Sequence, residues 1–317
     1  MNDASLQVLL QRCDSYNRFS LAELIDLMMT RLGLSGALHG KTVLLKPNLI
    51  SSNGPHLACT HGEFVAGAAL FFLGQGAKVL VGDSPAFGSA TQVCQKKGIS
   101  TALRGLDITF VDFVSPVSMK LAGGLSVTVA REALECDLFV GLPKIKAHKQ
   151  MFVTMAVKNM FGIVKGLNKA MLHMVHGDSH DRFANIILDL MLLLPSQMHL
   201  ADGIEVMHKS GPLGGCPLAL NCVAAAPCPV ALDTAMLDLL QLDPTRSPLW
   251  RVAALRGLEG SELNNLRYPL FSPQDFYGSG FIAPDTLDGI RFNLYRLFRG
   301  LVNRAILKLS DSVEKIF

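Results

Sequence analysis

Short apolar runs alternate along the chain with stretches of helical periodicity. Leu21, Leu24, Ile25, Met28 and Met29 keep helical spacing behind Ser20-Leu-Ala-Glu23, which has the form of a capping box, so an amphipathic helix ending near Gly33 is expected. Thr42 to Leu45 fits a buried parallel strand and ends in the polar turn Lys46-Pro47-Asn48. A second capping box, Thr60-His-Gly-Glu63, opens a helix through Val65, Ala69 and Phe72 to Gly74 or Gly76. Lys78 to Gly82 reads as the next strand, Asp83-Ser84-Pro85 as a loop and Ser89 to Lys97 as a helix. Strands at Ile108 to Val111, Ser126 to Val129, Asp137 to Gly141 and Met198 to Ala201 are expected, with apolar helices at Met151 to Phe161 and Phe183 to Leu194. Strand, loop and helix repeated with short connections predict an α/β fold, a doubly wound and mostly parallel sheet.

Beyond Asp202 the pattern is less regular. Ser210 to Pro217 reads as a loop, Pro229 to Leu240 as a helix with proline in its first turn, and Ser272 to Pro284 as irregular chain. This punctuation divides the chain into an α/β part, 1–205, and a carboxyl-terminal part, 206–317, either separate or of the same domain. From Ile290, the spacing of Leu294, Leu297, Leu301, Ala305 and Leu309, with Arg291, Arg296, Arg299, Arg304 and Lys308 on other faces, predicts a cationic amphipathic helix. Such a helix docks on its own body with a basic face in water, or contacts a membrane or partner through 290–309.

At 317 residues, half of them hydrophobic, the chain can build a sizeable core. The net charge is only +3 and the basic residues are not massed in one tract, which argues against nucleic acid and leaves small anions open as ligands. The seven cysteines form no C-x-x-C pair, so a reducing, cytoplasmic setting is expected, without an intrinsic iron–sulfur cluster. The six-residue recurrence of Cys216, Cys222 and Cys228 reads as small buried residues. No secretory signal is visible at the N-terminus, and Phe183 to Leu194 is too short to cross a bilayer. Attachment to the inner face of a membrane remains compatible with these features.

In an open parallel sheet, ligands bind beyond the carboxyl ends of the strands, where loops converge. Lys46 and Asn48 follow one predicted strand, Asp83 and Ser84 the next, and Lys144, Lys146 and His148 occupy a predicted loop after Asp137 to Gly141. Their recurrence at one end of successive strands points to a shared polar pocket, although each is also an ordinary turn or surface residue. Lys158, one turn from Thr154, lies in an otherwise apolar helical pattern. It either snorkels to water or serves as a desolvated amine with a lowered pKa. His173, His176 and His180 are spaced to share a helix face and ligate a metal, but Gly177 interrupts that helix, so a single histidine such as His176 acting in acid–base chemistry is the alternative. Asp202 at a strand end would line the same pocket, and Asp233 would satisfy a helix start.

Several blocks resemble the family called domain of unknown function 362: V-L-L-K-P-N-L at 43–49, the Thr60 segment, G-A-K-V-L-V-G-D-S-P at 76–85, D-L-F-V-G-L-P-K-I-K-A-H at 137–148, T-M-A-V-K-N-M-F-G at 154–162, H-M-V-H-G at 173–177 and A-D-G-I-E at 201–205. Many relatives carry an appended ferredoxin-type module. This chain lacks the cysteine run for one, so the resemblance implies at most a separate electron carrier. The order of parts is also similar to the amino-terminal domain of the lactate racemase family, which carries a nickel-pincer nucleotide joined to a lysine. That similarity implies Lys158 as the tether, His148 as an acid–base and His173 as a metal ligand, at comparable spacing. The chain departs from that family in having Lys46-Pro47-Asn48 in place of its Asp-rich Thr-Arg-Pro motif, and in the sequence around Lys158-Asn159.

Together these residues suggest an enzyme, isomerase- or oxidoreductase-like, acting on a small carboxylate- or phosphate-bearing molecule. Lys46, Lys144 and Lys146 would bind the anion, with Thr60, Asp83 and Asp202 beside them, and Asn48, Ser84 and Asn159 would orient it. His148 and Lys158, with Lys146 and His176 as further candidates, would transfer protons or form covalent bonds. The other class is an accessory protein that holds a cofactor or metal and docks through its basic final helix.

Overall fold

The computed structural model describes residues 5–289 other than 35, 37, 86 and 87, with only the backbone of 166, 167, 170, 173 and 174. In chain order, β1 (Leu9–Arg12) leads to α1 (Arg18–Arg31), β2 (Thr42–Pro47), α2 (Gly62–Gly74), β3 (Lys78–Asp83), α3 (Ala90–Lys96), α4 (Ile99–Ala102) and β4 (Ile108–Asp112). β5 (Pro116–Lys120), β6 (Ser126–Ala130), α5 (Arg131–Leu134), β7 (Leu138–Leu142), β8 (Lys144–His148), β9 (Phe152–Thr154) and α6 (Ala156–Asn159) follow. The rest comprises α7 (Gly166–His176), α8 (His180–Leu192), β10 (Gln197–His208), β11 (Cys216–Ala226), α9 (Pro229–Leu239) and α10 (Pro248–Leu255).

Strands β10, β7, β2, β3 and β4 lie side by side and parallel; β11 pairs antiparallel with β10, and β1 pairs antiparallel with β11 at the edge. Side chains alternate across the sheet and feed three clusters of buried residues, the third joining Leu10, Ile145, Val206 and Ala224 to Leu232 and Met236 of α9. Val43, Leu45, Val79 and Val81 pack with Leu21 and Ile25 of α1 and Phe64 and Ala68 of α2. Leu44 and Phe139 pack instead with Phe183, Ile187 and Leu190 of α8. The sheet is therefore covered on both faces, an α/β fold.

Several local expectations change for identifiable reasons. Asn17 caps α1, its side chain accepting from the N–H groups of Phe19 and Ser20, so the box at Ser20 falls inside the first turn. α2 is capped by His61, whose Nδ1 accepts from Glu63 N–H, and not by Thr60. β6 pairs antiparallel with β5 in a separate two-stranded sheet. Cys222 is buried but Cys216 is exposed and Cys228 intermediate, so their regular spacing does not mark uniformly buried positions.

The largest change concerns 144–161. Lys144 to His148 is a strand and not a loop, because the long β10 pairs first with β7 at Gln197–His199 and then with β8 through Asp202 and Met207. Pro143, lacking an N–H, marks the step between the two partners, and its carbonyl accepts from Asp202 N–H at 2.9 Å. Met151 to Phe161 is not one helix. β9 folds back on the free edge of β8, with Lys146 opposite Thr154 and His148 opposite Phe152, before the single turn of α6 begins. The carboxylate of Asp233 caps that turn, accepting from Ala156 N–H at 2.7 Å and Val157 N–H at 3.2 Å. β10 runs through residue 205, and the cationic segment 290–309 lies outside the described residues.

Candidate functional site

Lys46 and Asp83 end the neighbouring parallel strands β2 and β3, which brings the ammonium 2.8 Å from Asp83 Oδ1. Lys46 Nζ also donates to Asn159 Oδ1 at 2.9 Å and to Pro47 O at 3.1 Å, so its three N–H groups are all used within the protein. Burial lowers the pKa of Lys46, and the Asp83 carboxylate opposes that shift. Asp83 is held in turn by Leu49 N–H at 2.9 Å and Ser84 N–H at 2.8 Å. Asn159 ties α6 to this corner, its Oδ1 accepting also from Asn48 Nδ2 at 3.2 Å and its Nδ2 donating to Lys46 O at 3.2 Å. Gly162 permits the close approach: a Cβ there would stand 2.2 Å from Lys46 Cε and 2.3 Å from Asp83 Oδ1.

Strand β8 adds Lys146 and His148. Lys146 Nζ donates to Asn48 Oδ1 at 2.5 Å and to Ala58 O, leaving one N–H of the ammonium without an acceptor among the described residues. Burial pushes its pKa down to about 7, with Cys59 opposing and Lys144 adding to the shift. His148 Nδ1 accepts from Gln150 N–H at 3.1 Å and Met151 N–H at 3.2 Å, so the hydrogen-bond network assigns the proton of the neutral ring to Nε2.

Lys158 on α6 differs from its neighbours. Among the described residues its amine has neither a hydrogen-bond acceptor nor a carboxylate, and it sits 4.6 Å from the ring centre of Phe161 and 5.6 Å from that of Phe183. Burial and then the positive charges of Lys169, Lys146 and Lys46 push its pKa down to about 7. This is a net shift, since ring faces by themselves favour the ammonium form. Thr154 Oγ1 is buried without a hydrogen-bond partner among the described residues.

These groups line one cavity of about 150 Å³, which brings together Lys46, Asn48, Asp83, Ser84, Lys146, His148, Lys158 and Asn159. Thr154, Phe161, Gly162 and Lys169 add to its wall, with Leu49, Ile50 and Pro212. Lys169 donates to Ser84 O from α7, and nothing in the local pattern of Gly-Leu-Asn-Lys signals that approach. The cavity lies beyond the carboxyl ends of β2 and β3, as the geometry of parallel sheets leads one to expect.

Other candidate residues stand apart. Lys144 and Thr60 line a second cavity of about 390 Å³, with His61, Lys97 and Glu205. Asp202 is buried beneath Lys144, accepting from its Nζ at 2.9 Å, from Tyr16 O–H at 2.7 Å and from His61 N–H at 3.0 Å. The Tyr16 ring stacks on His61 with centroids 3.7 Å apart, and burial first, then the charge of Asp202, raises its phenol pKa. Thr60 instead ties the site's loops, its Oγ1 accepting from Asn48 N–H at 2.8 Å and donating to Leu142 O at 2.6 Å. His176 ends α7 and lines neither cavity, its Nδ1 buried without a partner among the described residues. The side chain of His173 lies outside the described residues.

The family described as "Domain of unknown function (DUF362)" matches residues 43–238. The chain belongs to the DUF362 family. The matched span holds every residue that lines the first cavity, Lys46, Lys146, Lys158 and Lys169 among them. A thylakoid-associated protein of Synechocystis sp. is 35% identical to the DUF362 chain over 304 residues, 92% of each protein. Among solved structures, the lactate racemase apoprotein from Thermoanaerobacterium thermosaccharolyticum superposes with a TM-score of 0.40 at 13% identity, covering 63% of this chain and 52% of that one. A Thermotoga maritima protein gives 0.39 at 12% identity, covering 63% and 53%. The DUF362 chain thus spans about half the length of these solved structures.

The first cavity does not fit a nickel-pincer nucleotide. Pockets for ligands of that size run from roughly 300 to 1,000 Å³, against about 150 Å³ here. Among the described residues no three His, Cys, Asp or Glu side chains come together to hold a metal. No helix among them is long and apolar enough to cross a membrane.

Proposed function

We propose that this protein is an enzyme that binds a small carboxylate- or phosphate-bearing molecule in the first cavity and transfers a proton at a carbon next to a carbonyl. The charge balance carries this reading. Four lysines line the cavity against one carboxylate, Asp83, which is already paired with Lys46. An anion is the missing partner, and the spare N–H of Lys146 and the Thr154 hydroxyl, both without a partner among the described residues, can meet it. Lys158 supplies an amine whose pKa, pushed to about 7, leaves a sizeable neutral fraction near neutrality, and His148 supplies an Nε2–H to stabilise charge on the carbonyl oxygen. Proton transfer is favoured over redox chemistry because Lys158 and His148 are themselves proton-transfer groups.

Calorimetric titration with pyruvate, lactate and inorganic phosphate, together with proton exchange at pyruvate C3 in heavy water followed by NMR, tests the reading. Binding of at least one anion is expected, with exchange that disappears in Lys158→Met. Absence of both binding and exchange would overturn it.

A second reading has one specific support, the thylakoid-associated relative. In it the protein binds a membrane surface through the basic segment 290–309. Sedimentation with anionic vesicles should then fall on deletion of 290–317. Equal sedimentation of both forms, or none by the intact chain, removes it.

A further inference from the structure

Each of three cavity lysines is anchored by oxygen. Lys46 has three acceptors, Lys146 has Asn48 Oδ1 and Ala58 O, and Lys169 has Ser84 O. Lys158 has no oxygen acceptor among the described residues and faces aromatic carbon, above Phe161 and Phe183, whereas Lys169, 5.7 Å from the Phe161 ring centre, has Ser84 O besides. An amine whose protons are spent on oxygen acceptors is fixed as a cationic donor, whereas one without acceptors can turn its lone pair into the cavity. We infer that Lys158 is a nucleophile that condenses with a small 2-oxo carboxylate to form an imine, with Lys146 and Thr154 holding the carboxylate.

The proposal rests on the reading of the cavity as a small-anion site and specifies both the substrate class and the covalent step. Nζ attacks the 2-oxo carbon and a C–N bond forms while the carbonyl π pair moves to oxygen. The carbinolamine then loses water, made from the former carbonyl oxygen and two protons that the amine carried, and a C=N bond remains. No oxidant or reductant is consumed. The lowered pKa of Lys158 leaves the lone pair available near neutrality. The two phenyl rings beside the amine form a dry wall that disfavours the return of water. The cavity volume of about 150 Å³ suits a three- or four-carbon acid better than a nucleotide.

The test uses the full chain, pyruvate as probe and sodium cyanoborohydride to reduce any imine to a stable amine. One adduct per chain is expected by intact mass, mapped to the peptide containing Lys158, and it should be lost in Lys158→Met and Lys158→Arg. Circular dichroism shows whether each variant is folded, and the arginine form keeps a cation at the position. Titrations with pyruvate and with lactate, which has no carbonyl, separate the two levels of inference. Binding of both without an adduct at Lys158, or adducts scattered over many lysines, overturns the imine and leaves the small-anion reading standing. Failure of pyruvate, lactate and phosphate all to bind overturns that reading as well.

Discussion

Lys46 Nζ lies 2.8 Å from Asp83 Oδ1, and only 1% and 2% of the two side chains are exposed. Charges this dry are tolerated because every remaining hydrogen-bonding position of the ammonium and several of the carboxylate are filled. Removing one member leaves the other buried and unpaired, so Lys46→Met should cost about 3–5 kcal/mol in denaturant unfolding. Asp83→Ala should cost more than Lys46→Met, because Leu49 N–H loses its acceptor as well, while Ser84 N–H keeps only its longer bond to Gly162 O. The double variant should lose less than the sum of the singles, which a double-mutant cycle measures directly.

Gly162 is the steric complement of that pair. Its carbonyl accepts from Ser84 N–H at 3.2 Å, and a methyl group on its Cα would collide with Lys46 Cε and Asp83 Oδ1. Gly162→Ala should destabilise the fold by at least about 1–3 kcal/mol, the usual cost of overpacking. It should also weaken anion binding in calorimetry, since Lys46 cannot retreat without breaking its three bonds. An unchanged unfolding midpoint would show that this corner is looser than its distances indicate.

The central strands and the placing of Lys46, Asn48, Asp83 and Ser84 at their ends were legible because buried parallel strands are short apolar runs followed by polar turns. Lys144 to His148 was not legible as a strand. Its partners are β10, more than fifty residues later, and β9, so long-range pairing and not local pattern decides it. The same long-range pairing splits Lys144 from Lys146 and sends them to different cavities. Tyr16, Lys169 and the capping of α6 by Asp233 likewise arise from contacts between distant segments. Lys158 is conspicuous in the sequence as a lone charge among apolar residues, although its setting is a single turn and not a long helix.

The ionisation of Lys158 should appear in stability as well as chemistry. Its folded pKa, pushed to about 7, is below the ordinary value of 10.5, so between those pH values the unfolded chain holds more protons at this site than the folded one. Stability from this group is therefore penalised below pH 7 and regained as pH rises toward 10.5. Lys146, also near 7, has the same sign. Unfolding midpoints measured at about pH 6 and about pH 9 should show a gain with pH that shrinks in Lys158→Met. An undiminished gain in that variant would mean that Lys158 keeps its ordinary ionisation in the folded chain.

Thr154 offers a sharper separation of stability from binding. Its hydroxyl is buried in the cavity wall without a partner among the described residues, a condition that costs about 1–3 kcal/mol. Valine has nearly the same shape and suits a strand, and Thr154 lies in β9 opposite Lys146. Thr154→Val should therefore raise the stability of the ligand-free protein by about 1 kcal/mol, in denaturant unfolding. If the hydroxyl serves a bound anion, the same substitution should weaken that anion's affinity about tenfold, equivalent to one good hydrogen bond. A residue kept only for packing would gain stability and leave affinity unchanged. Opposite movement of the two quantities identifies Thr154 as part of the binding site, maintained at a cost to the fold.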